Sequence, residues 1–359
     1  MRTRTRFHGL LATALLTAAC LFPARAADNF FGVGEDAAVE ISPEMEKRIK
    51  HGLESLAKRQ SDDGSWSSAY GKNVGEVSLA LMAFMAMGNL PGEGEYGSTV
   101  AKGVNWIMAQ SQSSGLIQYT GQKQQAPVMY GHALSTLMLS EAWGQTRRPD
   151  IGKVLRKAVD LIVRSQGPKG GWNYEAIPKD GDTSVSVMQI LALKSAHEAG
   201  IFVNQQVIDK AVKLIRSERY DGKIFGYGYN DGRFNAGHVG SSAAGATIML
   251  VCADKLDEKW IKTDKEKFAL KPVQTHIDIL NGKRDSKGMG WAPYFWYYSG
   301  VSAYAAGEGP FKQCMEALEK ITAKSQRRDG TWCGGSVWET AFAILSQAMP
   351  YRYLPVYQR

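Results

Sequence analysis

One short pattern occurs three times in this chain and constrains its fold more than any other feature. Residues 60–66 read QSDDGSW and residues 326–332 read QRRDGTW, so both copies follow Q-x-x-D-G-x-W. Residues 166–172 keep the glutamine, the glycine and the tryptophan, and carry Lys169 in place of the aspartate. Three copies spread over most of the chain indicate a repeated structural unit.

Each copy lies between two stretches with different helical patterns. The stretch before a copy has apolar residues on one helical face, as at Ile49, Leu53 and Leu56. The stretch after it is apolar almost throughout, as in residues 77–87. Weaker copies of this arrangement fill the gaps between the clear ones. The sequence therefore predicts six helical hairpins, which start near residues 44, 97, 150, 204, 270 and 309.

The alternation of the two helix types predicts how the hairpins are arranged. A helix that is apolar all round needs burial on every side, whereas an amphipathic helix needs one buried face. A closed ring with the apolar helices inside meets both needs better than an open solenoid does. We expect an all-α (α/α)6 toroid, a single domain over residues 44–350, flanked by an N-terminal extension over 27–43 and a tail over 351–359.

The first 26 residues have the features of a signal peptide. Three arginines and no acid precede the apolar run 10–22, and a small-x-small site ends at Ala26. We expect cleavage there and export to the periplasm or the exterior. Anchoring as a lipoprotein at Cys20 is less favoured, because Thr17 stands where such proteins usually have leucine.

Composition narrows the classes of partner. Loss of the leader removes four arginines and lowers the net charge from +8 to +4, and no basic cluster remains. A nucleic-acid partner is therefore not expected. No transmembrane helix is predicted, and peripheral contact with a membrane stays open. Cys252, Cys314 and Cys333 are an odd number, which excludes complete pairing within one mature chain.

The repeated pattern resembles the QW motif of the prenyltransferase and squalene oxidase repeat family, which includes squalene cyclases and protein prenyltransferase β subunits. The resemblance covers about residues 44–350. The segments GGWNY at 170–174, GDTS at 181–184 and YRYLPVY at 351–357 are similar to a group of exported bacterial proteins with these repeats. The resemblance implies an α/α toroid that binds an isoprenoid or another apolar ligand in its central cavity.

The residues of the motif are expected to brace the turns. Glutamine can bond free carbonyls at the end of an outer helix, Asp-Gly suits a tight reversal, and tryptophan can cover the junction. The six structural candidates are Gln60, Trp66, Gln166, Trp172, Gln326 and Trp332.

The inner helices supply the candidate catalytic residues. If these helices are parallel, their N-termini meet at one end of the ring, and alignment of the repeats puts Glu76, His132, Asp182 and Glu339 at equivalent positions. Other roles are open for each. Asp182 before Thr183 suits a helix N-cap, glutamates suit a first helical turn, and His132 suits a core position.

The chemistry of the family is only partly represented. Squalene cyclases protonate an alkene with an aspartic acid of a D-x-D-D-T motif, and the matching residues 179–183 read KDGDT. Gly181 thus stands at the proton donor's position, and Asp180 is a candidate from the position before it. The Asp-x-Cys pair of the prenyltransferase zinc site is missing, so we predict no metal and no cofactor. Whether the protein is an enzyme stays open; a cyclase-like isomerase activity is favoured over a prenyltransferase-like one.

Aromatic residues supply the candidate ligand contacts. A run of aromatic residues on one predicted inner helix can line the cavity, or can simply fill it. The candidates are Tyr174, Phe295, Trp296, Tyr297 and Trp338. Two other functions stay open: a carbohydrate hydrolase or lyase that uses the carboxylates, and a scaffold for protein partners without catalysis.

Overall fold

A computed structural model gives the structure of most of the chain. The described residues are 39–68, 71–121, 127–218, 220, 225–226, 239–252, 264–284, 291–351 and 354. The predicted signal peptide, the first part of the extension and most of the tail lie outside these residues.

The described residues form twelve α-helices in six consecutive pairs. The first helices of the pairs are α1 (Pro43–Lys58), α3 (Gly97–Ala109), α5 (Pro149–Arg164), α7 (Gln205–Glu218), α9 (Lys271–Leu280) and α11 (Glu308–Ser325). The second helices are α2 (Val74–Met85), α4 (Val128–Thr146), α6 (Thr183–Glu198), α8 (Val239–Val251), α10 (Ala292–Ala306) and α12 (Val337–Ala348). Every first helix begins within one residue of its predicted start.

Four short elements complete the description. Strands β1 (Ser67–Ser68) and β2 (Gly71–Lys72) form a small antiparallel hairpin between α1 and α2. The π-helical segment Glu266–Leu270 leads into α9, and a 3-10 turn over Met349–Tyr351 follows α12.

The second helices form a closed inner ring. Each packs against the next one along the chain, from α2 to α12, and α12 packs against α2. The first helices lie outside this ring, and each packs against the second helix of the preceding pair, with α1 packing against α12. The structure therefore confirms the predicted all-α toroid. None of the helices in the described part of the chain is both long and apolar enough to span a bilayer.

Burial follows the two sequence patterns. Every residue of α2 is buried, because this helix has inner helices on both sides and an outer layer behind it. The outer helix α5 buries only one face, which includes Ile151, Leu155, Val159 and Ile162. Amphipathic helices thus form the outer layer and apolar helices the inner ring, as the alternation predicts.

Contacts between neighbouring inner helices show that these helices run in the same direction. Ser78 in α2 lies 3.0 Å from Ser135 in α4, measured between the two Oγ atoms. Nearer the start of the same two helices, a Cβ on Gly75 would lie 3.3 Å from the Cα of Gly131. The inner helices therefore begin at one end of the ring, which we call the mouth.

The three tryptophans of the repeated motif make the same contact in each turn. Trp66, Trp172 and Trp332 are fully buried. Each indole Nε1 donates a hydrogen bond to a carbonyl in the last turn of the preceding outer helix. The acceptors are Leu56 at 2.7 Å, Ile162 at 2.8 Å and Thr322 at 2.9 Å. The indole, rather than the glutamine that we expected, thus satisfies a carbonyl at the end of the outer helix.

The three glutamines connect each turn to the next outer helix. Each side-chain Nε2 donates to the carbonyl of the motif's own glycine and to a carbonyl in that next helix. Gln60 reaches Thr99 at 2.9 Å, and Gln166 reaches Val207 at 2.8 Å. Gln326 reaches Arg48 of α1 at 2.9 Å, which links the last hairpin to the first.

Candidate functional site

Asp182 is the centre of a hydrogen-bond network at the mouth. It is the N-cap of α6, and its Oδ1 accepts from the backbone N–H of Ser184 at 2.7 Å. Its Oδ2 accepts from the Tyr174 hydroxyl at 2.9 Å. The Ser184 hydroxyl bonds both to Asp182 and to the hydroxyl of Tyr130 in α4. The network thus joins two neighbouring inner helices and the loop that precedes α6.

Glu76 and Glu339 lie in the first turns of the neighbouring inner helices α2 and α12. The Glu76 carboxylate is buried and accepts from Ser68 Oγ at 2.8 Å and from Asn73 Nδ2 at 3.1 Å. Burial raises the pKa of Glu76; the hydrogen bonds from Ser68 and Asn73 and the charge of Arg59 oppose this rise, and Glu339 adds the smallest contribution to it. Two acids from opposite ends of the chain thus lie on neighbouring inner helices at the mouth.

Glu339 also holds the first turn of α12. Its Oε2 accepts from the backbone N–H of Ser336 at 3.0 Å, and Ser336 Oγ accepts from the backbone N–H of Glu339 in return, which is a capping box. Its Oε1 accepts from the N–H of Gly334 at 3.1 Å. Asp182, Glu76 and Glu339 thus all lie at inner-helix N-termini, where the helix dipole favours negative charge.

The structure does not bring His132 into this group. Its Nδ1 accepts from the backbone N–H of Ile117 at 3.2 Å, and its Nε2 lies 3.2 Å from the carbonyl of Ala158 in the outer helix α5. Before α6, Trp172 holds the place that Ile117 holds before α4. The backbone N–H of Trp172 donates to the Ser186 hydroxyl at 3.0 Å. The residue of α6 that corresponds to His132 is therefore Ser186 rather than Asp182, and the imidazole points to the outer layer.

Asp180 lies apart from the mouth network as well. Its carboxylate accepts from the backbone N–H groups of Lys169 at 2.9 Å and Gly171 at 2.9 Å, within the second copy of the motif along the chain. In the first copy, Asp63 accepts from the N–H of Ser65 at 3.0 Å. Asp180 thus takes over the contact that Lys169 cannot make, and its carboxylate stabilises a turn.

The aromatic run on α10 spreads around that helix. Tyr297 lies toward Phe342 of α12, with ring centroids 5.4 Å apart. Phe295 instead meets His276 of the outer helix α9 at 5.8 Å, so it points away from the bore. Trp296 is buried, and its Nε1 has no hydrogen-bond partner in the described part of the chain. Consecutive residues of a helix face different neighbours, which is why the run cannot line the bore as a unit.

Two of the aromatic candidates lie at the mouth. Tyr174 packs against Tyr130, with ring centroids 5.9 Å apart. Trp338 packs against Trp291 at 5.1 Å, and Trp291 is 55% exposed at the start of α10. The rim of the mouth therefore combines exposed aromatic surface with the carboxylates described above.

The site contains Ser184, which the sequence candidates omitted and which connects Asp182 to Tyr130. Tyr294, the first residue of the predicted aromatic run 294–298, packs against Tyr298 at 4.5 Å and against Phe342 at 5.8 Å. Helical spacing separates it from the two residues that follow it in the run, because residues 294, 297 and 298 share one face of α10.

Below the mouth, a few apolar side chains of the inner helices keep a small solvent-exposed fraction, which identifies one apolar face on these helices. Leu134 and Leu137 in α4 keep 7% and 6% exposure, whereas the adjacent Met138 and Leu139 have none. Met188 and Leu191 show the same three-residue spacing in α6, with 7% and 4%. We interpret these residues as facing a narrow apolar bore.

Metal-ligand and thiol chemistry has little support in the described residues. No three side chains of histidine, cysteine, aspartate or glutamate converge there as metal ligands would. Cys314 is fully buried, and burial raises the pKa of its thiol to about 12. Burial also raises the pKa of Cys333 to about 11. Thiols of such high pKa carry little of the reactive thiolate at neutral pH.

No protein-family model matches the sequence. Among curated proteins, the lanosterol synthase of Saccharomyces cerevisiae is 24% identical over 144 residues, which are 37% of this chain and 18% of that protein. The chain thus spans less than a fifth of the length of this relative.

Several solved structures have a similar fold. An α-1,6-mannanase from Salegentibacter sp. HEL1_6 has a TM-score of 0.64 at 10% identity, over 85% of this chain and 98% of that one. A type II terpene cyclase from Scytonema, in complex with geranylgeranyl dihydroxybenzoate, has a TM-score of 0.59 at 12% identity, over 87% and 98%. A cellobiose 2-epimerase from Bacillus thermoamylovorans has 0.63 at 13%, over 86% and 98%. The chain thus has the α/α-toroid fold, which terpene cyclases share with enzymes that act on sugars.

Proposed function

We propose that this protein binds an isoprenoid or a similar apolar chain in its central bore, with the polar end of the ligand at the mouth. The main support is the change from an apolar to a polar surface along the axis of the ring. The residual exposure of Leu134, Leu137, Met188 and Leu191 supports an apolar lining formed by these residues. Above them, tyrosines and carboxylates form a polar collar. A narrow apolar cavity with a few polar groups at one end suits an amphipathic small molecule.

The similarity to the terpene cyclase of Scytonema supports this proposal at the level of the fold. The contacts of Asp182 support binding rather than cyclase-type proton donation. Its two carboxylate oxygens accept hydrogen bonds from Ser184 and Tyr174. Gly181 stands where the squalene cyclases that the sequence resembles have their proton donor. We therefore propose a binding function and assign no cyclase reaction.

Titration with alcohols of increasing chain length tests the proposal. Geraniol, farnesol and geranylgeraniol should bind at one site per chain, more tightly as the chain grows, because each buried CH₂ contributes about 0.8 kcal/mol. Native mass spectrometry of protein from its own host should show a bound lipid. Absence of saturable binding for all three alcohols, together with absence of bound lipid, would contradict the proposal.

Two substitutions test the location. Leu137→Trp and Leu191→Trp should fill the bore and weaken the binding of geranylgeraniol more than that of geraniol. Phe202→Trp is the matched control, because Phe202 is 86% exposed and its replacement leaves the bore intact. Circular dichroism and melting temperature should show that each variant is folded before binding is compared.

A second candidate function is carbohydrate processing. It is favoured by the position of Glu76 and Glu339 on neighbouring inner helices, since a buried carboxyl of raised pKa and a second carboxylate at the same mouth suit general acid and base roles. Trp291 and Trp338 at the rim offer a stacking surface for a sugar. If this function is correct, Glu339→Gln and Asp182→Asn abolish turnover on an oligosaccharide panel, whereas Glu316→Gln on the exposed face of α11 does not. Unchanged turnover in both variants would exclude it.

We also propose that the protein is exported through cleavage of residues 1–26. The proposal rests on the sequence of the leader. Expression of the full chain in a bacterium and sequencing of the mature N-terminus should show that the chain begins at Ala27. An intact Met1 in the exported fraction would contradict it.

A further inference from the structure

Tyr294 carries a buried polar group that the folded chain leaves unused. Its ring lies between Tyr298 and Phe342, with centroid distances of 4.5 Å and 5.8 Å. Its hydroxyl is inaccessible to solvent and has no hydrogen-bond partner among the residues that the structure describes. Buried hydroxyl groups nearly always have a partner, because an unsatisfied one lowers the stability of the fold.

The position of Tyr294 connects this hydroxyl to the mouth network. Tyr294 lies in the first turn of α10, which is opposite α4 in the ring of six inner helices. It interacts electrostatically with Tyr130 of α4 and with Asp182 of α6. Burial raises the pKa of Tyr294 well above its ordinary value, so the hydroxyl keeps its proton and can donate it.

The charges around this hydroxyl restrict the kind of group that it can receive. Among the described residues of the mouth, the buried charged side chains are Glu76 and Asp182, and Glu339 is half-buried. The cation Arg59 also acts on Glu76, but its side chain is exposed and donates to the carbonyl of Gly335. A phosphate or diphosphate would be repelled by these carboxylates and would lose its hydration on entry. A neutral oxygen avoids both costs and supplies the missing acceptor.

We propose that Tyr294 binds the uncharged oxygen of an alcohol headgroup, which makes long-chain alcohols, rather than diphosphate esters, the ligand class of the bore. This inference rests on the proposed binding of an apolar chain. The Tyr294 hydroxyl donates to the alcohol oxygen, and the alcohol's own O–H points to the Asp182 side of the mouth. The apolar chain then extends down the bore.

Three ligands with one carbon skeleton test the inference: farnesol, farnesyl diphosphate and the hydrocarbon farnesene. The wild-type protein should bind farnesol about tenfold more tightly than farnesene, which is the value of one hydrogen bond, and should bind the diphosphate most weakly. Tyr294→Phe should remove the tenfold preference and leave farnesene binding unchanged.

The unliganded Tyr294→Phe protein provides a second measurement. Because the hydroxyl has no partner, its removal should leave the melting temperature equal or higher, whereas removal of a structural hydrogen bond would lower it. Tyr96→Phe is the matched control, since Tyr96 packs on Phe84 beyond the other end of α2. The control should keep the preference for farnesol.

The outcomes separate this inference from the proposed function. Equal binding of farnesol and farnesene, tighter binding of the diphosphate, or an unchanged preference in Tyr294→Phe would overturn the assignment of Tyr294 while the apolar bore stands. No saturable binding of any of the three ligands would refute the proposed function and this inference together.

Discussion

The side-chain amide of Gln326 donates a hydrogen bond of 2.9 Å to the backbone carbonyl of Arg48, 278 positions earlier in the chain. The same amide donates to the carbonyl of Gly330 at 3.1 Å. Gln60 and Gln166 make the equivalent contacts between consecutive hairpins. The same pair of glutamine hydrogen bonds therefore joins consecutive hairpins along the chain and also joins the last hairpin to the first.

Gln326→Ala should destabilise the protein by about 1–3 kcal/mol, because two hydrogen bonds of about 0.5–1.5 kcal/mol each are lost. Gln166→Ala is the matched control, since it removes the same two bonds away from the closure. Urea unfolding should give similar losses for both variants. Hydrogen exchange should accelerate in α1 only for Gln326→Ala. Equal exchange in α1 for both variants would show that this bond has no special role in closure.

Gly330→Ala should be more costly than Gly282→Ala, although both glycines have positive φ angles, +84° and +70°. A Cβ on Gly330 would lie 2.5 Å from the carbonyl oxygen of His51 in α1, whereas nothing lies within 4 Å of one on Gly282. Gly282→Ala should therefore cost about 1–2 kcal/mol for backbone strain, and Gly330→Ala about 1–3 kcal/mol more. The difference is measurable by urea unfolding, and equal losses would contradict the close packing of this turn.

Asp180→Ala should destabilise the third turn by about 1–3 kcal/mol, because the N–H groups of Lys169 and Gly171 lose a charged acceptor. Lys169→Asp restores the aspartate found in the other two copies of the motif. The double variant should therefore recover part of the loss, as the aspartate can accept from Gly171 in the way that Asp63 accepts from Ser65. Thermal unfolding of the two single variants and the double variant measures the coupling. If the stability changes of the two single variants add up exactly to that of the double variant, the two aspartates do not perform the same role.

His132 should make the stability of the protein depend on pH between 6.5 and 4. Burial lowers the pKa of His132 from 6.5 to about 4 in the folded state. Above pH 6.5 the imidazole is neutral in both states, and as the pH falls the unfolded chain takes up a proton that the folded chain does not. Stability is therefore lost on acidification, on the order of 3 kcal/mol by pH 4.

His132→Gln should reduce this loss while it keeps one acceptor for Ile117 and one donor for Ala158. Urea unfolding at pH 8, 6.5, 5 and 4 compares the two proteins, and pH 8 serves as the reference for the folded variant. His276, whose pKa burial lowers to about 3, adds a similar slope to both proteins. Parallel pH profiles for the wild type and the variant would contradict this account.

Much of the fold follows from the sequence alone. The three copies of the motif, and the alternation of amphipathic with apolar helices, gave the number of hairpins, their starting points and the assignment of inner and outer layers. These features depend on periodicity and burial, which are written locally along the chain.

The candidate site depended on orientations that the sequence does not contain. Asp182 is an N-cap whereas Glu76 and Glu339 occupy the third position of their helices, so alignment by residue type mixed two positions. His132 faces the outer layer because its ring lies between two backbone groups that come together only in the packed ring. The repeated motif thus determined the toroid, and tertiary packing decided which side chains reach the mouth, since a shift of one position turns a helical side chain by about 100°.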